Sequence, residues 1–214
     1  SASGEQIEFF PFNDPGQLPI TPLRDSCGEW MTVKLQFPRR ELHLRAWQVQ
    51  AGRVRLYLLD SNDLMNSPAD RGITAELYGG GLEARLQQEM VLGIGGWRLL
   101  HELGVLPDMC HLNEGHAALA VLERARCHME DRRLNLKEAL TATRAGNLFT
   151  THTPVEAGFD RFPPSLVADY LGDYAAELGI EIDDLLAMGR CPDACREPDE
   201  PFNMAYLAIR GSGA

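Results

Sequence analysis

Two short strings carry most of the polar chemistry in this chain: His111-Leu-Asn113-Glu114-Gly-His116, and Thr151-His152-Thr153 followed by Pro154. An amide, a carboxylate, imidazoles and hydroxyls this close together could bind a polar ligand, move a proton or hold a metal. A metal set of His111, Glu114, His116 and His152 is the weaker reading. The pattern His-x-x-Glu-x-His matches no standard zinc spacing, and on a strand His111 points away from residues beyond the turn. Cys191 and Cys195 are spaced C-x-x-x-C with no second pair, which reads as a loop thiol pair without function. No Gly-x-Ser-x-Gly occurs, and no cysteine sits beside a histidine in a way that suggests activation. Gly93-Ile-Gly-Gly96 could pass for a phosphate loop, but such a loop follows a strand and opens a helix. Here it lies inside a helical pattern.

The elements that position the two strings can be read from periodicity. The first thirty residues are rich in turn formers and read as a surface loop anchored by Phe9, Phe10 and Phe12. From Met31 to Asp60 the period is two, with breaks at Pro38-Arg39-Arg40 and Ala51-Gly52; three strands form an antiparallel meander. After Gly81 the period changes. Leu86, Met90, Ile94, Trp97, Leu100 and Leu103 mark an amphipathic helix ending near Gly104, with Glu83, Arg85, Gln87, Gln88 and Glu89 mostly on its polar side. Gly93, Gly95 and Gly96 each cost about 1 kcal/mol in such a helix, so close approach of another backbone or a ligand is expected there. Asp108–Leu112 reads as a strand, with Asn113 able to cap a helix from near Gly115 towards Glu130. Asn135 and Glu138 resemble a capping box for a second helix closed by Gly146. Asn147–Thr151 is then another strand. Strand, helices, strand is a βαβ crossover with a parallel pair, hence an α/β class. Helical stretches follow at Ser165–Leu178 and Ile182–Met188, then a loop at Cys191–Pro201 and an apolar run at Phe202–Ile209.

Ligands of open parallel sheets bind outside the carboxyl ends of the strands. Both polar strings fall there. Each polar group could instead cap its own helix or turn, but two such clusters on one βαβ unit point to a site. They do not name its ligand.

Composition bounds the rest. A chain of 214 residues can bury roughly 70% of its unfolded surface, enough for one sizeable core. The net charge of −11 argues against a nucleic-acid partner, which needs a concentrated basic face. No apolar stretch reaches the length of a membrane span and no signal peptide opens the chain. The five scattered cysteines speak against a disulfide framework and for a reducing cytoplasm. A start at Ser1 without methionine suggests a piece cut from a longer chain.

Four strings together resemble the glycogen and starch (α-glucan) phosphorylase family, especially its short bacterial type: LYGGGLEARLQQEMVLGIGGWRLLHELG, HLNEGHAALAVLER, FTTHTPVEAGFDRFP and FNMAYLAIR. FFPFNDPGQLP and RVRLYLLDSND look familial too, so the resemblance covers almost the whole chain in order. It implies that residues 1–214 form part of a Rossmann-like N-terminal domain of a glycosyltransferase type B fold, with antiparallel strands over 31–60 and an α/β portion over 82–214. It implies an enzyme that cleaves a terminal α-1,4 glucosyl unit of glycogen, starch or maltodextrin with inorganic phosphate, releasing glucose 1-phosphate with retention. Pyridoxal phosphate would serve through its phosphate group as proton partner.

By the same resemblance His152 matches a histidine whose backbone carbonyl meets the glucosyl unit near its 6-hydroxyl, and Thr153 follows it in the sugar pocket. Asn113, Glu114 and His116 match a loop lining the cavity beside that pocket, and the Gly93–Gly96 helix is a packing element. The family usually has an aspartate at the position of Gly81. Neither Lys34 nor Lys137 stands in the context of the cofactor lysine. No catalytic or cofactor-binding residue is therefore expected here, and the piece should be inactive alone. α-Glucan, phosphate and glucose 1-phosphate are the expected partners of the whole protein; the resemblance is compatible with a homodimer and leaves regulation open. Two competing readings are a nucleotide-sugar glycosyltransferase of the same architecture and a non-catalytic carbohydrate-binding module.

Overall fold

The computed structural model describes residue 11 and residues 13–76, 80–191 and 199–214. The expected anchors Phe9, Phe10 and Phe12, and also Cys195, lie outside the described residues. The alternation after Met31 becomes an antiparallel sheet. Strand β1 (Thr21–Pro22) is short; β2 (Thr32–Phe37), β3 (Arg40–Ala51) and β4 (Val54–Asp60) form the meander. The long β3 is the centre, with β4 on one edge and β2 and β1 on the other. Val33, Leu35, Phe37, Leu42, Leu44 and Ala46 are buried on one face, as a period of two requires. Gly52 takes the positive φ of +61° at the second hairpin turn, where a non-glycine residue would be strained.

The predicted long helix is one continuous rod. α1 (Leu82–Met90) passes through a π-helical turn (Val91–Gly95) into α2 (Gly96–Glu102) and stops before Gly104 at φ +66°. The rod lies between the antiparallel sheet and the helix that follows β5, and its glycines explain how. A Cβ on Gly93 would stand 2.9 Å from the backbone nitrogen of Ala120, and one on Gly95 would stand 3.1 and 3.2 Å from side-chain carbons of Leu59 and Leu44. Close backbone approach is therefore the compensation at Gly93. Packing on both sides also reaches the polar side of the helix. Gln87 and Glu89 are buried, Gln87 bonding to the Tyr170 hydroxyl at 2.6 Å.

β5 (Cys110–Asn113), α3 (Leu119–Arg132), α4 (Leu136–Arg144) and β6 (Asn147–Thr150) complete the crossover, and β5 and β6 pair in parallel with Asn113 opposite Thr150. The capping box forms as expected, with Asn135 Oδ1 accepting from the Glu138 amide and Glu138 accepting from the Asn135 amide, each at 3.0 Å. Asn113 does not cap. The turn at Gly115–Ala117 begins from Glu114, whose side chain makes no capping bond, because Asn113 is still in the strand ladder. Arg124 staples the entry of both strands. Its guanidinium donates to the carbonyls of Pro107, Asp108 and Gly146 and to Asn147 Oδ1.

β7 (Arg161–Phe162), α5 (Pro164–Glu177), α6 (Ile182–Met188), β8 (Phe202–Asn203) and α7 (Met204–Gly211) close the chain. The apolar run at Phe202–Ile209 thus divides into a strand end and a helix, with Asn203 capping the amide of Ala205 at 2.9 Å. Beyond α7 the chain runs along the free side of β6: the Gly213 amide donates to the Asn147 carbonyl at 2.9 Å and the Phe149 amide to the Ala214 carbonyl at 2.8 Å. The architecture is mixed α/β, an antiparallel sheet joined through helices to a parallel pair. Among the described residues no helix is long and apolar enough to cross a membrane.

Candidate functional site

The parallel register brings the two polar strings to the same end of neighbouring strands. The Glu114 amide extends the ladder by donating to the Thr150 carbonyl at 2.8 Å, and its side chain then turns across to the other junction. Oε1 of Glu114 accepts from the amide of His152 at 2.8 Å, the amide of Thr153 at 3.0 Å and the Thr153 hydroxyl at 2.9 Å. The His152 imidazole lies over the same oxygen, Nδ1 at 3.3 Å. Glu114 is only 3% exposed, while the His152 side chain is 65% exposed. One group is buried to hold; the other is presented.

Two features mark this junction as costly. Glu114 adopts φ +61° and ψ −175°, a backbone region essentially reserved for glycine. Its Oε2 is buried with no hydrogen-bond partner among the described residues. The carboxyl is nonetheless held low, at a pKa of about 2. The His152 amide is the main cause, with the hydroxyls of Thr151 and Thr153 adding to it against burial. Amide N–H groups aimed at a carboxylate stabilise its charged form. Gly158 seats the loop from behind, since a Cβ there would come within 2.6 Å of the Thr153 side chain.

His116 goes elsewhere. Its Nδ1 stands 2.9 Å from Asp160 Oδ2 and 2.5 Å from Arg85 Nη2. A single ring nitrogen donates to the carboxylate when protonated and accepts from the guanidinium when not, so these bonds are alternatives. Arg85 also pairs with Asp160 at 3.1 Å and lies 3.3 Å from Glu89. Glu89 is 2% exposed, and neither of its oxygens has a partner of hydrogen-bond geometry among the described residues. Burial, then the adjoining Asp160, raise its carboxyl to about 10, against the opposing pull of Arg85. Burial would raise Asp160 as well, but its neighbours Arg85, Glu89 and His116 bring it below its ordinary value.

The weaker metal reading finds its four residues turned to different partners: His111 Nε2 meets the Thr150 hydroxyl at 2.8 Å, Glu114 the 151–153 turn and His116 Asp160. Glu89, His116 and Asp160 do offer ligand atoms within 4.8 Å of one another. Arg85 already supplies the positive charge there, so an added cation would meet its repulsion. Arg85, Glu89 and Asp160 were not singled out by sequence reading. The available signal was the i, i+4 pair on α1 and the acid inside the GFDRFP string.

An open groove of about 1240 Å³ lies between β4 and the α1–α2 rod, lined among others by Leu56, Leu58, Leu92, Met109, His111 and His116. Asn113, Glu114, His152 and Thr153 do not line it. Sequence reasoning expected Glu114, His116 and His152 on one wall of one recess. The structure joins Glu114 to His152 and Thr153, leaves Asn113 exposed at the strand end, and turns His116 toward the groove.

Curated relatives supply the remaining observation. Over 98% of its length the chain is 44% identical to a maltodextrin phosphorylase of Thermococcus litoralis, spanning 24% of that protein. It is 37% identical over 98% of its length to a glycogen phosphorylase of Mycobacterium tuberculosis, spanning 25% of it. A glycogen phosphorylase of Aquifex aeolicus is 28% identical over 97% of the chain, which spans 29% of it. The chain belongs to the glucan phosphorylase family. No protein-family model matches it. The chain spans about a quarter of the length of the first two of these relatives.

Pyridoxal phosphate, which the family resemblance implies, attaches through a lysine, and the two lysines here do not fit that role. Lys34 is on the outside of the antiparallel sheet, paired with Glu41 at 2.8 Å, and Lys137 is exposed on α4.

Proposed function

We propose that this chain forms part of the Rossmann-like N-terminal domain of an α-1,4-glucan phosphorylase of glycosyltransferase type B architecture. The whole protein releases glucose 1-phosphate from glycogen, starch or maltodextrin with inorganic phosphate. It works in the cytoplasm and holds pyridoxal phosphate on residues outside this span. The span supplies part of the glucosyl-binding wall and is inactive alone. His152 and Thr153 meet the sugar, with Asn113, Glu114 and His116 forming the adjoining loop. A neutral sugar is read by donors and acceptors at fixed positions.

The observation that carries this reading is the rigid turn at 151–153. It is tied by three bonds to a single buried carboxylate at the carboxyl end of a parallel pair, yet presents an exposed imidazole. The exposed apolar side chains of the groove, Leu56, Leu58, Leu92 and Met109, agree with a span taken from a larger folded protein, since extended apolar surface normally meets something.

The test is kinetic. The whole protein should form glucose 1-phosphate from maltodextrin and phosphate. Thr153→Ala should lower kcat/KM for maltodextrin by roughly 10-fold, the value of one hydrogen bond in the transition state, whereas His152→Ala, which keeps the backbone carbonyl, should lower it less. A whole protein that forms no glucose 1-phosphate, or a Thr153→Ala variant with unaltered kinetics, would refute the reading.

A further inference from the structure

We infer that Glu114 is a positioning residue, which shapes the glucosyl wall through the 151–153 turn rather than by touching sugar. The inference rests on the proposed placement of His152 and Thr153 at the sugar. It deepens that reading by assigning the group that sets their geometry.

Three independent observations converge on it. The first is the bonding: one oxygen takes the successive amides of His152 and Thr153 and the Thr153 hydroxyl. Two consecutive peptide N–H groups aimed at one point fix the orientation of both peptide planes. The backbone carbonyls and the direction in which the His152 side chain leaves the turn follow from those planes. The second is the backbone. A glutamate held at φ +61° and ψ −175° is strained, and glycine would be the relaxed choice. The surrounding structure therefore sustains a strained conformation that keeps a carboxylate at this place. The third is burial. With the residue 3% exposed and Oε2 without a partner among the described residues, the carboxylate has little reach to anything beyond the turn it holds. Its low pKa, caused chiefly by the His152 amide, keeps it an acceptor with no proton to offer that turn. The neighbouring strand gives it a rigid base, since its own amide is already in the ladder to Thr150.

The backbone strain supplies an unusual control. Glu114→Gly removes the carboxylate and relieves the strain together, whereas Glu114→Ala removes the carboxylate and keeps the strain. In the whole protein, both variants should lose on the order of 100-fold in kcat/KM for maltodextrin, the scale of a misplacement near 1 Å. Only Glu114→Ala should also lower the melting temperature. Glu114→Gln, whose amide oxygen can still accept the three bonds, should recover most of the activity. Amide hydrogen exchange reads the clamp without any sugar: His152 and Thr153 should exchange faster by about 10-fold or more in Glu114→Gly.

Unchanged exchange at those two amides would overturn the inference. So would a loss of activity in Glu114→Ala that Glu114→Gly restores along with stability, since that would make the role purely structural. If exchange rises and kinetics stay at wild type, Thr153→Ala decides which idea falls. Impaired kinetics in that variant sink the positioning role of Glu114 alone; unaltered kinetics sink the sugar-site reading on which it stands.

Discussion

Glu89 and Glu114 are the same side chain, almost equally hidden from solvent at 2% and 3% exposed, and yet they are driven in opposite directions. The carboxyl of Glu114 sits at about 2 and that of Glu89 at about 10. What differs is what each one faces. Glu114 looks at peptide N–H groups and hydroxyls of the neighbouring turn, which favour its charge. Glu89 looks at Asp160, with Arg85 shared between them and His116 at 3.7 Å. One cation between a buried acid and a half-buried one leaves the buried acid best protonated. At Glu89 burial is the first cause of the rise and Asp160 the second, whereas at Glu114 the donors of the turn outweigh burial.

The sharpest way to break this contrast is to remove the like charge. Asp160→Asn should lower the titration midpoint of Glu89 by roughly 2 pH units or more, the scale on which a neighbouring carboxylate acts. Carboxyl carbon chemical shifts followed against pH would read it. A midpoint that stays near 10 would mean that burial alone holds the proton on Glu89.

Stability should respond next. A carboxyl raised from its unfolded value of 4.5 to about 10 keeps its full contribution below pH 4.5. The folded state binds the proton more tightly than the unfolded state, so stability declines as pH rises through that interval. Glu89→Gln mimics the neutral form and should flatten the decline, gaining about 1–3 kcal/mol at pH 8, the desolvation scale of a buried polar group. Urea denaturation at pH 5 and pH 8 measures both arms. The smallest effect belongs to Glu114, with the opposite sign. Its carboxyl is depressed from 4.5 to about 2, so its contribution is complete above pH 4.5 and disappears as pH falls toward 2. Glu114→Gln should show a shallower acid-side loss in the same experiment.

Much of this scaffold could be read along the chain because it depends on neighbours in sequence. The two-residue alternation of Val33, Leu35 and Phe37, the Asn135–Glu138 capping box, and the strand-helix-helix-strand order are local patterns with local causes. The glycines of the α1–α2 rod announced a close approach and received one at Gly93 from the backbone of Ala120. The surroundings of several polar residues could not be read, because their cause was not local. Gln87 and Glu89 are on the side of α1 that looks polar, and they are buried because the rod is covered on both sides. Asn113 resembled a cap and is the last rung of a ladder.

The sequence by itself determined the family, the mixed α/β plan and the two junctions where polar groups gather, since motif strings and periodicity are properties of consecutive residues. Only the tertiary structure decided which groups meet. The strand register carries Glu114 across to His152 and Thr153, while the turn after it swings His116 round to Arg85 and Asp160, residues 31 and 44 positions away. Charge state followed the same division. A carboxyl answers to the donors and charges within a few ångströms, and those are assigned by packing rather than by order along the chain.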